Sequence, residues 1–242
     1  MATQKLQVVP TIKEGIIYGL KNIPSLVGLV ILYVLTLWIP YLNVGTTVGM
    51  YKAVIKIGRG EVINPVDIFS SEHRRNMGDF FLLTGFITLG IVSALAFTFF
   101  PALVVSIGWG FAYYFFIDKG LSPVKALKVS WKVTDGEKWR ILGIMVLACL
   151  AFILVMGILI SFVDLKYIGW FFAVLAIAVF LLMLAAIVAI EGVMYRHFAE
   201  KADVLFADRI AACACKAPAE PAAPADPLAP APEVSVTGDP AE

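Results

Sequence analysis

Two long stretches without a single charged side chain constrain this chain more than any other feature. Residues 141–163 and 167–190 contain no Asp, Glu, Lys or Arg. Each can cross the roughly 30 Å hydrocarbon core of a bilayer, which takes about 20 apolar residues at about 1.5 Å apiece. Residues 80–117 are also uncharged. As one helix they would reach about 57 Å, nearly twice the core thickness. Pro101 lies near the middle, so two spans are expected, 80–99 and 102–117, joined by a tight turn at 99–102. Asn22 to Tyr51 is uncharged as well, with Pro40 inside it. That is long for one span and short for two. Two spans over 24–39 and 43–57 require Lys52 and Lys56 to snorkel to the interface, and a short or re-entrant hairpin is the alternative.

Composition excludes whole classes of function. Of the 242 residues 60% are hydrophobic and 15% charged, and the mean hydropathy is +0.89. A water-soluble globule of this size cannot hide that much apolar surface. A soluble enzyme, a nucleic-acid binder and a disordered chain are therefore ruled out. An all-α integral membrane protein is expected. Three cysteines, Cys149, Cys213 and Cys215, make no disulfide framework. The N-terminus lacks a signal-peptide pattern.

Charge placement sets the expected topology. The 19 Lys and Arg all precede residue 217, whereas the remainder holds Glu220, Asp226, Glu233, Asp239 and Glu242 and no base. With six spans in three hairpins, one side holds the N-terminus, loops 58–79 and 118–140, and the C-terminus. Counting the snorkelling lysines, that side carries every Lys and Arg except Lys166. The positive-inside rule makes it cytoplasmic. The expected location is the bacterial inner membrane, multi-pass, with both termini inside. The spans expected are 24–39, 43–57, 80–99, 102–117, 141–163 and 167–191. From about Ala202 onward the Ala/Pro-rich acidic composition predicts a disordered cytoplasmic tail over 202–242, which is solvated or docks a cytoplasmic partner.

The two long cytoplasmic loops share a pattern at an offset of 58. Pro65 aligns with Pro123, Val66 with Val124, Gly78 with Gly136, Asp79 with Glu137 and Phe81 with Trp139. Each opens with a polar cap and a proline at the first helical position, and each carries a glycine where a helix can stop. Amphipathic interfacial helices are expected at 64–77 and 122–135, and a weaker one at 10–22. In the second loop Val124, Leu127 and Trp131 share one face and Lys125, Lys128 and Lys132 another, the pattern of a helix lying at a membrane surface.

Candidate sites follow from these patterns. Lys125, Lys128, Lys132, Arg74 and Arg75 are candidates to hold anionic headgroups, with Trp131 and Trp139 as interfacial anchors alongside Tyr167 and Trp170; alternatively, the basic residues serve topology alone. Glu191 ends the last apolar run and reads as an intramembrane polar site or as an interfacial acid paired with Arg196. Gly45 and Gly49 form a small-xxx-small packing face, and Gly108 and Gly110 allow close helix approach. Cys213 and Cys215 make at most a weak metal or redox pair. His73 and His197 lie on separate segments, and no metal set, P-loop or catalytic triad is present. Neither a cofactor nor a metal is expected.

The segment from Asp118 to Val146 resembles a known family. Ala126, Leu127, Lys128, Ser130, Gly136 and Trp139 match a pattern found in uncharacterised bacterial inner-membrane proteins of YciC type, which are related to the membrane domain attached to some glycerophosphodiester phosphodiesterases. Arg59, Gly60, Asp67 and Phe69 fit that family's other loop. The resemblance covers about residues 40–150 and departs from the family at Phe100-Pro101-Ala102, where Ile-Pro-Gly is usual. It implies lipid-linked roles by association and carries no phosphodiesterase domain.

The function expected is therefore non-enzymatic: a polytopic membrane protein with a structural, scaffolding or lipid-interacting role through basic interfacial helices. Its expected partners are membrane lipids, anionic ones above all, a second copy or another membrane protein, and no nucleic acid. The alternative is a small transporter or channel built on the pseudo-repeat, with Thr46, Thr47, Ser93, Thr98 or Ser106 lining a polar cavity. An intramembrane enzyme would need a clustered nucleophile and base.

Overall fold

The computed structural model describes residues 5–163 and 169–214, and among these there are helices and turns but no strand. The described residues form nine α-helices in order: α1 (Val8–Lys21), α2 (Ile23–Thr36), α3 (Pro40–Gly58), α4 (Met77–Phe97), α5 (Phe99–Trp109), α6 (Ala112–Lys119), α7 (Pro123–Thr134), α8 (Lys138–Ser161) and α9 (Gly169–Ala214).

Among the described residues four helical segments are long and apolar enough to cross a membrane: Met77–Phe97, Phe99–Lys119, Lys138–Ser161 and Gly169–Leu205. A fifth is reached only if α1 and α2, bent by 78° at their junction, count as one. The six expected spans are thus not all matched by helices of spanning length. The shortfall lies in the first hairpin. With 14 residues, α2 extends about 21 Å, and the second half of α3 carries Lys52 and Lys56.

The turn between the third and fourth expected spans also moves. Thr98 alone is extended between α4 and α5. Pro101 sits in the first turn of α5, where its missing N–H costs no hydrogen bond. Gly90 on α4 faces the Trp109 ring on α5 so closely that a Cβ there would overlap it.

Of the three segments expected as interfacial helices, 10–22 and 122–135 are helical, as α1 and α7. The segment 64–77 does not form one helix. It folds as two short 3-10 turns, Pro65–Phe69 and Ser71–Arg74, broken at Ser70 in an extended conformation. Asn64 caps the first by accepting from the Val66 N–H. Side chains of α3 hold the segment back on that helix: Lys56 bridges to Asp67 at 3.3 Å and Lys52 to Glu72 at 3.2 Å. His73 is buried there, against the Ile68 carbonyl. The matched glycines diverge too. Gly136 adopts a positive φ of 77° and turns the chain from α7 into α8, whereas Gly78 lies within the first turn of α4.

The long helix α9 organises the rest. It continues to Ala214, so residues 202–214, expected as the start of a disordered tail, are helical. Their Ala-rich sequence favours that state, and Lys201 and Asp203 are held by ion pairs to other elements. The tail beyond 214, with Cys215, lies outside the described residues, as do Lys166 and Tyr167. Gly15 and Gly19 bring α1 directly onto α9 at Ile190 and Ala185. Where α3 meets α9, Gly58 faces Gly192, and a Cβ on Gly58 would overlap the Gly192 carbonyl. Small residues at helix contacts let backbones approach this closely.

Candidate functional site

Charged side chains collect at the end of the bundle where α3 and α6 finish and α7, α8 and the N-terminus begin. Glu137, just before α8, is almost fully buried. Its carboxylate accepts from Lys201 Nζ at 2.6 Å and from the Leu6 N–H at 2.8 Å, and His197 Nε2 lies 3.6 Å away. Lys201 also donates to the Val133 carbonyl at 2.7 Å. Burial works against ionisation of Glu137, but the Lys201 and Leu6 hydrogen bonds outweigh it and hold the carboxyl below its ordinary range. One acid therefore joins the N-terminal segment, the α7–α8 junction and α9.

A second knot lies at Asp118, at the C-terminal end of α6. Arg59 donates to both its oxygens, at 2.7 and 2.8 Å, and Tyr195 donates to Oδ2 at 2.7 Å. Lys119 pairs with Asp203 at 2.8 Å. Arg196 pairs with Glu14 of α1. Asn22, at the α1–α2 bend, is fully buried; its amide donates to the Tyr18 and Glu61 carbonyls and accepts from the Ile63 N–H. Among the described residues, no group of three or more His, Cys, Asp or Glu is placed to hold a metal.

On α7 the buried face is Ala126, Leu127, Val129, Ser130, Val133 and Thr134. Lys125, Lys128, Lys132 and Val124 are exposed. The apolar face expected from Val124, Leu127 and Trp131 is thus split: Leu127 is buried in protein, and the other two are not. Ser130 donates to the Gly108 carbonyl at 2.7 Å, and Gly108 makes room for the Trp131 ring. The Lys138 ammonium lies 3.6 Å above that ring, a cation–π contact. Trp139 protrudes from the start of α8 at 74% exposure. Arg75 is exposed and Arg74 partly so.

Gly45 and Gly49 do not face a spanning helix. Gly45 lies against the Arg74 side chain and Gly49 against Ile68 and His73, so both receive the loop that folds back on α3. The polar residues considered for a channel are scattered. Thr46 is fully buried and bonds Thr36 at 3.0 Å between α3 and α2. Thr47 meets Tyr33 at 3.3 Å. Ser93 and Thr98 are exposed on apolar helices, and Ser106 donates to the Ala102 carbonyl of its own helix.

Glu191 is not paired with Arg196. Five residues apart on a helix, the two point about 140° away from each other, a signal already present in the numbering. Instead Glu191 accepts a hydrogen bond from Tyr114 of α6. Tyr114 stacks on Tyr195 with ring centroids 5.1 Å apart and meets Tyr51 edge-on at 5.1 Å. Beside Glu191 opens a cavity of about 480 Å³ between α5, α8 and α9, lined by apolar groups that include Leu103, Ile107, Ile144, Phe152, Phe180 and Leu184, with Ser106 and Cys149.

No family model, curated protein or solved structure matches the chain. Lys201, Asp118, Tyr114 and Tyr195 were not singled out by motif or spacing, and Glu137 entered only as the match of Asp79 in the loop pattern. For Asp118 a signal existed, since it is the first acid after the long uncharged run.

Proposed function

We propose that this chain is a non-enzymatic protein of the bacterial inner membrane that binds anionic lipid headgroups on its basic, cytoplasmic end. The observation that carries the reading is α7, which is anchored in protein by one face and presents Lys125, Lys128 and Lys132 on the other. Trp139 protrudes beside it at the start of a spanning helix. Each Lys near an anionic surface contributes about 1 kcal/mol. The charged knots at Glu137 and Asp118 keep this end rigid, so the basic residues act as one surface. The resemblance to YciC-type proteins points the same way.

In this reading α4, α5–α6, α8 and α9 cross the bilayer, and α2–α3 dip in and return on the same side. A returning hairpin, complete or incomplete, keeps every basic segment on one face, as the positive-inside rule requires. A transporter with a polar path is the weaker reading, because the polar residues it would need are spread over different surfaces. The test is native mass spectrometry of the full chain extracted from membranes containing phosphatidylglycerol. Lys125→Gln, Lys128→Gln and Lys132→Gln together should strip most of the bound phosphatidylglycerol; undiminished retention would overturn the reading.

A further inference from the structure

The cavity beside Glu191 is elongated along the helices. Its lining runs from Ile141 to Phe152 on α8 and from Met194 back to Phe180 on α9, which is about 16 Å and about 21 Å of helix. Its volume, about 480 Å³, lies within the range of small-molecule sites, roughly 300–1,000 Å³. The walls are apolar along this length, and Ser106 spends its hydroxyl proton on its own helix. The one carboxylate, Glu191, sits at the end nearest the charged knots, three residues from Met194.

The surroundings of that carboxylate are specific. Around it stand the apolar wall and the Tyr114 hydroxyl. The nearest cation in sequence, Arg196, is engaged by Glu14. A carboxylate offers about four lone-pair sites, and Tyr114 fills one. Glu191 retains some accessible surface and is one of the residues that line the cavity. A carboxylate taken out of water without a counter-charge is costly. An anionic head would worsen this, whereas a primary ammonium supplies both the charge and up to three N–H donors.

We propose that this cavity is a lateral lipid site that holds one acyl chain of an aminophospholipid, with the head ammonium on Glu191. The slot takes the chain and Glu191 reads the amine. This site is separate from the basic surface of α7 and of opposite charge preference, so the two stand or fall independently.

The experiment uses the full chain in nanodiscs of equal parts phosphatidylethanolamine, phosphatidylcholine and phosphatidylglycerol with matched chains. Bound lipid is counted by native mass spectrometry, and photoreactive diazirine acyl chains locate it. Phosphatidylcholine is the control, since its quaternary head has no N–H. The choline head lacks the charge-assisted hydrogen bond that the ammonium makes, so the ethanolamine lipid should be favoured over the choline lipid about tenfold or more. Its cross-links should map to α5, α8 and α9. Glu191→Gln should erase the preference and leave phosphatidylglycerol retention unchanged. Ala148→Phe, which fills the slot from α8, should remove the cross-links of both zwitterionic lipids and serves if the first variant does not fold. Equal retention of the two in the unaltered chain, a preference that survives Glu191→Gln, or cross-links elsewhere would overturn the proposal.

Discussion

Replacing Glu137 by Ala tests how this bundle is held together at its charged end. Glu137 is 4% exposed, and the Lys201 side chain that it pairs with is 12% exposed. Removing the acid leaves the Lys201 ammonium with only the Val133 carbonyl at 2.7 Å and leaves the Leu6 N–H without its acceptor. Truncating one partner of a buried ion pair costs about 3–5 kcal/mol, because the other charge stays buried and uncompensated. The double variant Glu137→Leu with Lys201→Met removes both charges and should recover most of that loss. Equilibrium unfolding in mixed micelles measures the stability. Amide hydrogen exchange over residues 5–21 reports whether the N-terminal segment detaches, which the Leu6 bond predicts. A loss below about 1 kcal/mol for Glu137→Ala, with unchanged exchange in α1, would refute the idea that this acid ties three elements together.

Other outcomes follow from the same geometry. Gly192→Leu should destabilise the bundle by more than the about 1–3 kcal/mol typical of overpacking, since the clash is with backbone of α3; wild-type unfolding would count against the close crossing. Asn22→Leu removes three hydrogen bonds at the α1–α2 bend and should cost about 2–4 kcal/mol, read as faster proteolysis after Gly60. Acid sensitivity arises in part at His73 and Glu137. Burial lowers the His73 imidazole below its ordinary value, so its contribution is present above the unfolded value of about 6.5 and is lost as pH falls through the folded one. Glu137 is likewise held low, so its contribution is present above the unfolded value of about 4.3 and disappears below that. Unfolding midpoints measured from pH 7 to 3 should fall in that order, and His73→Gln should flatten the first step.

Helix-forming segments of spanning length were legible wherever charge was absent over a long window. That is why α8 falls close to its expected limits and α9 starts close to its own, although α9 runs on well past residue 191. The first hairpin was less so, because an uncharged run does not say whether Asn22 will bend the chain; that bend depends on the distant Glu61 carbonyl and Ile63 N–H. Pro101 was read as a turn and proved to be a helix start, both roles being open to proline near a helix N-terminus. The loop at 64–77 has the local pattern of a helix, yet Lys52 and Lys56 of α3 and the open surface at Gly45 and Gly49 draw it into two short turns. The lysines of α7 were visible as a face. Which part of its apolar face docks on protein was not legible: Leu127 is buried while Val124 and Trp131 stay exposed, and that division is set by the neighbouring α5 and α6. Glu137 stood in the loop pattern opposite Asp79, but its role as a tie was hidden because its partners lie far away in sequence at Leu6 and Lys201.

The central claim is that every basic segment meets on one side of the bilayer. Single-cysteine accessibility in sealed inner-membrane vesicles tests it most directly, in a background with Cys149, Cys213 and Cys215 replaced by Ser. Cysteines placed at Lys5, Arg75 and Lys128 should all label from the cytoplasmic face, and one at Phe162, where α8 ends, only from the opposite face. Labelling of Lys5 and Lys128 positions from opposite faces, or of Phe162 and Lys128 positions from the same one, would contradict the account.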